Sequence, residues 1–191
     1  MKQLQLMQWL ELFEIWRLSE ASNPGWVRTA TEVKGWPDWE SWRMFTARQL
    51  GLPERAWTLY EFTDPMDEIS NLLIGPYTGW QSRLPRLNMM SFADLVNIPA
   101  QREEFSVNPA IQKMMKQFPA QTTMTGLRKT EGAIVLIEGH HRATAVALAR
   151  QAELPVQFFS PVRIAIADLT TADNGLLDRV LARGSSKTPR K

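Results

Sequence analysis

The sequence predicts an α+β fold with a helical, Trp-rich N-terminal region. Three observations carry this. Apolar residues recur three and four apart in several segments, which is the helical period. Other short runs are continuously apolar or alternating and bounded by Gly, Pro and Asp, as strands are. All eight Trp (Trp9, Trp16, Trp26, Trp36, Trp39, Trp42, Trp57 and Trp80) lie at or before position 80, so the two halves are built differently.

Taken in order, Leu4 to Leu18 is predicted as an amphipathic helix, with Leu6, Trp9, Leu10, Phe13 and Trp16 on its apolar face. Asn23-Pro24-Gly25 breaks it. Pro37-Asp38-Trp39-Glu40 starts a second helix that runs to about Leu50, and Gly51-Leu52-Pro53 stops it. Trp57 to Phe62 alternates and is aromatic, which predicts a strand. Asp64-Pro65 opens a short helix to about Leu73, and Gly75 to Gly79 is a loop. Ser91 caps a helical turn holding Phe92 and Leu95. Asn108-Pro109 begins a helix with Ile111, Met114, Met115 and Phe118 on its apolar face.

The next segment is the most informative. Leu127 to Lys129, a Thr130-Glu131-Gly132 turn and Ala133 to Ile137 predict a hairpin whose second strand is buried on both faces. It runs into Glu138-Gly139-His140-His141-Arg142 and an Ala-rich helix from Ala143 to Ala152. Val156 to Phe159 and Arg163 to Ala167 are predicted as further strands, and Thr171 to Arg183 as a last helix closed by Gly184.

Composition narrows the chemistry. With no Cys among 191 residues, thiol catalysis, disulfides and Cys-ligated metals are excluded. The two His are adjacent, so histidine chemistry is confined to one place, and a three-His metal site is excluded. Residues 1–99 carry 9 basic and 12 acidic side chains, and residues 100–191 carry 13 and 8. Part of that excess lies in a tail, residues 184–191, read as disordered and basic, so the net charge of +2 does not argue for DNA. No run has the roughly 20 apolar residues of a membrane span, and a cytoplasmic location is the default expectation.

A buried strand, a glycine turn and a helix start together favour anion binding. The first N–H groups of a helix lack partners inside it, and its dipole adds about half a positive charge there. Gly139 permits close backbone approach, and Arg142 offers a planar fork to phosphate oxygens. His140 and His141 are candidate donors, partly charged near neutral pH. Glu138, at the strand end, is the candidate metal ligand or base.

Ile137 to Ala145 (Ile-Glu-Gly-His-His-Arg-Ala-Thr-Ala) resembles the G-x-x-R-x-x-A phosphate-binding motif of the ParB/sulfiredoxin-like superfamily. Asn97-Ile-Pro-Ala-Gln-Arg-Glu-Glu-Phe105 is similar to the N-P-x-Q-x-R-x-x-F segment of ParB-type N-terminal domains, and Phe92-Ala-Asp-Leu95 to its lead-in. The resemblance covers about residues 86–168. It implies a ParB/sulfiredoxin-like domain with a small mixed sheet over residues 86–183; the first 85 residues lie outside the resemblance, and their composition predicts a Trp-rich helical region, 1–85, packed on that domain. The resemblance also implies a nucleoside triphosphate ligand, CTP or ATP with Mg²⁺, held by Gly139, His140, His141 and Arg142 with Gln101 and Arg102 contributing.

Two function classes follow from the resemblance. One is a nucleotide-dependent switch or DNA-associated adaptor; about 25 residues follow the resembling segment, so the helix-turn-helix module of the partitioning proteins is not expected and DNA is a possible partner without that support. The other is a small-molecule kinase of the free-serine type, or a nucleotidase, using Glu138 to Arg142. Such kinases carry D-G-H-x-R, with Asp where this chain has Glu138, and Glu61 and Asp64 are then the first candidates for the catalytic base. The absence of Cys excludes the sulfiredoxin reaction. A protein-interaction module is the third alternative, with the Trp-rich region facing a homo-oligomer or protein partner.

Overall fold

Strands buried on both faces need two separate cores, and this sheet has them. A computed structural model describes residues 1–184. Its strands are β1 (Lys2–Met7), β2 (Trp57–Glu61), β3 (Thr123–Arg128), β4 (Ile134–Glu138) and β5 (Arg163–Asp168), in the spatial order β1-β2-β5-β3-β4. Only β3 and β5 pair in parallel; the other pairs are antiparallel, so the sheet is mixed. The fold is α+β, as predicted. The sheet takes strands from both sides of residue 85, because β2 lies between β1 and β5.

Side chains alternate along a strand, and the alternation sorts them cleanly. Ile134, Leu136, Ile164, Ile166 and Met124 enter one core, and Val135, Ile137, Ala165, Ala167 and Leu127 the other. The first core is closed by α4 (Pro65–Ser70), α6 (Phe92–Asn97), α7 (Pro99–Ser106), α8 (Pro109–Lys116) and α9 (His140–Gln151). Residues 143–149 of α9 are all buried, so this Ala-rich helix packs with small side chains between sheet and neighbours. The second core is closed by α1 (Trp9–Glu20), α3 (Trp39–Gln49) and α10 (Leu176–Arg183). Trp9, Trp16, Trp39, Trp42 and Trp57 are buried there. Two shorter helices, α2 (Pro24–Arg28) and α5 (Thr78–Gln81), lie in the connections.

Most expected elements are present with shifted ends. Asp38, Asp64, Ser91 and Asn108 cap α3, α4, α6 and α8 through their side chains. Three expectations are corrected. The N-terminal apolar run is a strand followed by a helix: Lys-Gln-Leu-Gln-Leu-Met alternates, and β2 is there to pair with it. Leu6 and Leu10 are consequently exposed. Val156 to Phe159 is no strand but an irregular segment that packs Val156 and Phe158 on the core. Pro99 to Ser106, for which no element is predicted, is helical. The last helix is broken by Gly175, which is left-handed (φ 69°) and separates a short 3₁₀ turn from α10. The proposed basic tail beyond Gly184 lies outside the described residues. Among the described residues no helix is long and apolar enough to cross a membrane.

One hydrogen bond ties the Trp-rich layer to the sheet. Trp16 Nε1 donates to Thr125 Oγ1 at 2.9 Å, with both residues buried. Thr125→Val keeps the shape and removes the acceptor, leaving a buried donor without a partner. The expected cost is about 1–3 kcal/mol in chemical unfolding, against little change for an exposed control such as Thr130→Val.

Candidate functional site

The turn between β4 and α9 is a single residue, Gly139, at φ 111°. Only glycine adopts that conformation readily, and a Cβ there would also lie 3.0 Å from Met124 Cγ. The helix therefore starts at His140, directly off the strand. No side chain caps it, and its first internal bond is from Ala143 N–H to Gly139 O at 2.9 Å. The N–H groups of His140, His141 and Arg142 precede that bond and point out of the helix end.

That end opens on a cleft of about 1260 Å³. Ile137 to Arg142 line it with Thr122, Thr123 and Tyr77, and so do Glu20 of α1, Trp26 of α2 and Trp42 and Arg43 of α3. The Trp-rich layer thus forms part of the cleft as well as of the second core. Glu20 and Arg43 were missed by sequence reasoning. A signal existed: Glu20 follows Trp9, Leu12, Phe13 and Trp16 on the buried stripe of α1, where a charge is out of place.

Arg142 is held in place by the site itself. Its Nη2 donates to Glu138, at 2.6 Å to Oε1 and also to Oε2, and its Nη1 donates to Thr122 Oγ1. Both side chains of this ion pair are largely buried. The Glu138 carboxylate is therefore occupied, and it would have to release Arg142 to act as a metal ligand or base. Among the described residues no group of three His, Asp or Glu is placed to hold a metal ion.

The two histidines differ. His140 turns into the first core, where Tyr77, Trp80 and Phe92 surround it, and its Nε2 accepts from Gly75 N–H at 3.1 Å. Burial, then His141, Arg43 and Arg142, push its pKa down to about 3. It is neutral at pH 7, which corrects the expectation of a partly charged donor. A neutral imidazole that accepts at Nε2 carries its proton on Nδ1. His141 sits against the edge of Trp80 and lines the cleft; burial lowers its pKa, while Glu138 opposes the shift.

Gly75 makes this arrangement feasible. Leu73 N–H donates to Ile134 O and Leu136 N–H to Leu73 O, both at 2.8 Å, so residues 73–75 run beside β4. A Cβ on Gly75 would lie 2.3 Å from Leu136 O. Gln81 secures the loop, donating to the carbonyls of Ile74 and Gly75 at 2.9 Å each, and Tyr77 donates to Ile137 O at 2.9 Å.

The remaining sequence candidates are not brought to the cleft. Gln101 and Arg102 lie on α7 and do not line it. Glu61 ends β2 and faces Arg163 at 4.0 Å, and Asp64 caps α4; neither lines the cleft. The kinase-base role expected of these two has no geometric support, because both carboxylates are engaged in surface structure. Comparison with protein-family models, curated proteins and solved structures finds no match to this chain.

The depressed His140 pKa sets the sign of a pH effect. The unfolded chain takes up this proton near pH 6.5 and the folded one only near pH 3, so stability falls as pH drops below 6.5. From pH 7 to pH 5 the His140 contribution is a loss of about 2 kcal/mol. His140→Gln retains an acceptor for Gly75 without titrating. Urea unfolding at both pH values should give a difference smaller by about that amount in the variant.

Proposed function

We propose that this protein binds a nucleotide, or another phosphate-bearing small molecule, at the β4–α9 turn, as a ParB/sulfiredoxin-like protein. The observation that carries the reading is the uncapped N-terminus of α9 opening on the cleft beside Arg142. Three outward N–H groups, the positive end of a 12-residue helix and a guanidinium converge there. Charge-assisted bonds from such groups suit phosphate oxygens. Gly139 supports the reading because its lack of a side chain leaves the backbone approachable. The cleft is large enough as well, since small-molecule pockets are typically about 300–1,000 Å³.

The kinase alternative is not favoured. The carboxylate in the cleft motif, Glu138, is bound by Arg142, and Glu61 and Asp64 are elsewhere. Binding, with Arg142 preset by Glu138 and Thr122, accounts for the arrangement without a chemical step.

Thermal unfolding and calorimetry with ATP, ADP, CTP and GTP, each with and without Mg²⁺, test this. At about 100 times its Kd a ligand adds about 2.7 kcal/mol, which for a chain of this size raises Tm by roughly 5–10 °C. Arg142→Ala should weaken the responding nucleotide about tenfold to a hundredfold. No stabilisation by any nucleotide, or equal stabilisation of Arg142→Ala, would overturn the proposal.

A further inference from the structure

The N-terminal wall of the cleft carries an ion pair that no motif announces. Glu20, the last residue of α1, and Arg43, on α3, are 4% and 6% exposed. Arg43 Nε lies 2.9 Å from Glu20 Oε2, and Nη2 donates to Oε1 at 3.1 Å. Trp39 Nε1 also donates to Oε2, at 2.9 Å. The Arg43 guanidinium carbon lies 4.4 Å from the centre of the Trp16 ring. Arg43 is thus fixed from two sides, with Nη2 hydrogen-bonded to Glu20 and Nε close to the same carboxylate but buried without a hydrogen-bond partner. Its Nη1 makes no hydrogen bond among the described residues, and the side chain lines the cleft.

Burying two charges is costly, and apolar residues of similar volume would often fill such a position at no loss of stability. A packing role alone therefore explains the pair poorly. Its surroundings indicate what it does. Glu138 and Arg142 act electrostatically on Glu20, and Arg43 acts on His140 and Tyr77. The pair therefore stands within interaction range of the β4–α9 turn.

We propose that Arg43 is an anion-binding residue of the cleft. It grips the phosphate chain of the ligand from the N-terminal wall while α9 and Arg142 hold it from the other. This rests on the nucleotide reading above and adds that the Trp-rich helices supply half of the site. Glu20 is a positioning residue: it aims the guanidinium, and its negative charge opposes the incoming phosphate. The two residues then have opposite effects on binding, which a purely structural pair does not produce.

Calorimetric titration with ATP and with sodium tripolyphosphate reads this directly, with thermal unfolding to confirm that each variant is folded. Arg43→Gln is expected to weaken both ligands about tenfold or more. Glu20→Gln, which keeps an acceptor for Trp39 and removes the charge, is expected to tighten both severalfold. The double variant Glu20→Gln/Arg43→Gln leaves no charge buried alone, and it should bind as weakly as Arg43→Gln.

Wild-type affinity in the double variant, with binding lost in Arg142→Ala, would make the pair structural and leave the nucleotide reading standing. Equal weakening by Glu20→Gln and Arg43→Gln would likewise overturn the inference. So would an effect on ATP with none on tripolyphosphate, which would move Arg43 to the nucleoside end. Failure of wild-type protein to bind either probe would remove both readings together.

Discussion

The structure depends on one constraint: its central strands are apolar on both faces. Residues 134–137 of β4 send Ile134 and Leu136 to one core and Val135 and Ile137 to the other. Such a strand is stable only when both faces are covered. Helices α4 and α6 to α9 cover one face. The Trp-rich helices, joined by α10, cover the other, and large aromatic side chains do this with few residues. The N-terminal region is therefore a structural layer of the same sheet, and the Trp16–Thr125 hydrogen bond fixes where it sits.

This layering also accounts for the cleft. β4 ends at Glu138, and α9 turns back over the first core, leaving its N-terminus at the end of the sheet. The α1–α3 layer reaches the same end from the second core, with Glu20 and Arg43 lining the cleft. Two ion pairs, each joining a carboxylate to a guanidinium, line this one cleft. Burial then decides protonation. It holds His140 neutral and raises the Glu20 carboxyl despite Arg43, so the polarity of the site comes from its arginines and helix end rather than from imidazolium.

Legibility in the sequence followed the range of the interactions. Capping by Asp38, Asp64, Ser91 and Asn108 acts within three residues, and each was readable at its own position. The hairpin and the Glu138–Arg142 turn were equally local. Lys2–Met7 was misread because its partner is some 50 residues away; three-and-four spacing and alternation overlap in so short a run. His140 was misjudged for a related reason. Its charge depends on the Gly75 N–H and on aromatic residues from other elements, not on its neighbours in the chain.

The sequence by itself determined the α+β class, the two-faced strand at Ile134–Ile137, and the uncapped glycine turn from which an anion site can be argued. These are properties of periodicity and backbone freedom, and they act over a few residues. Only the tertiary structure decided which charges stand at that turn. Gln101, Arg102, Glu61 and Asp64 were carried away from it, while Glu20 and Arg43 were carried to it. The physical reason is that electrostatic partners are chosen by the packing of the two layers on the sheet. That packing brings Glu20 within range of Glu138, more than 100 residues away, for which no local pattern exists.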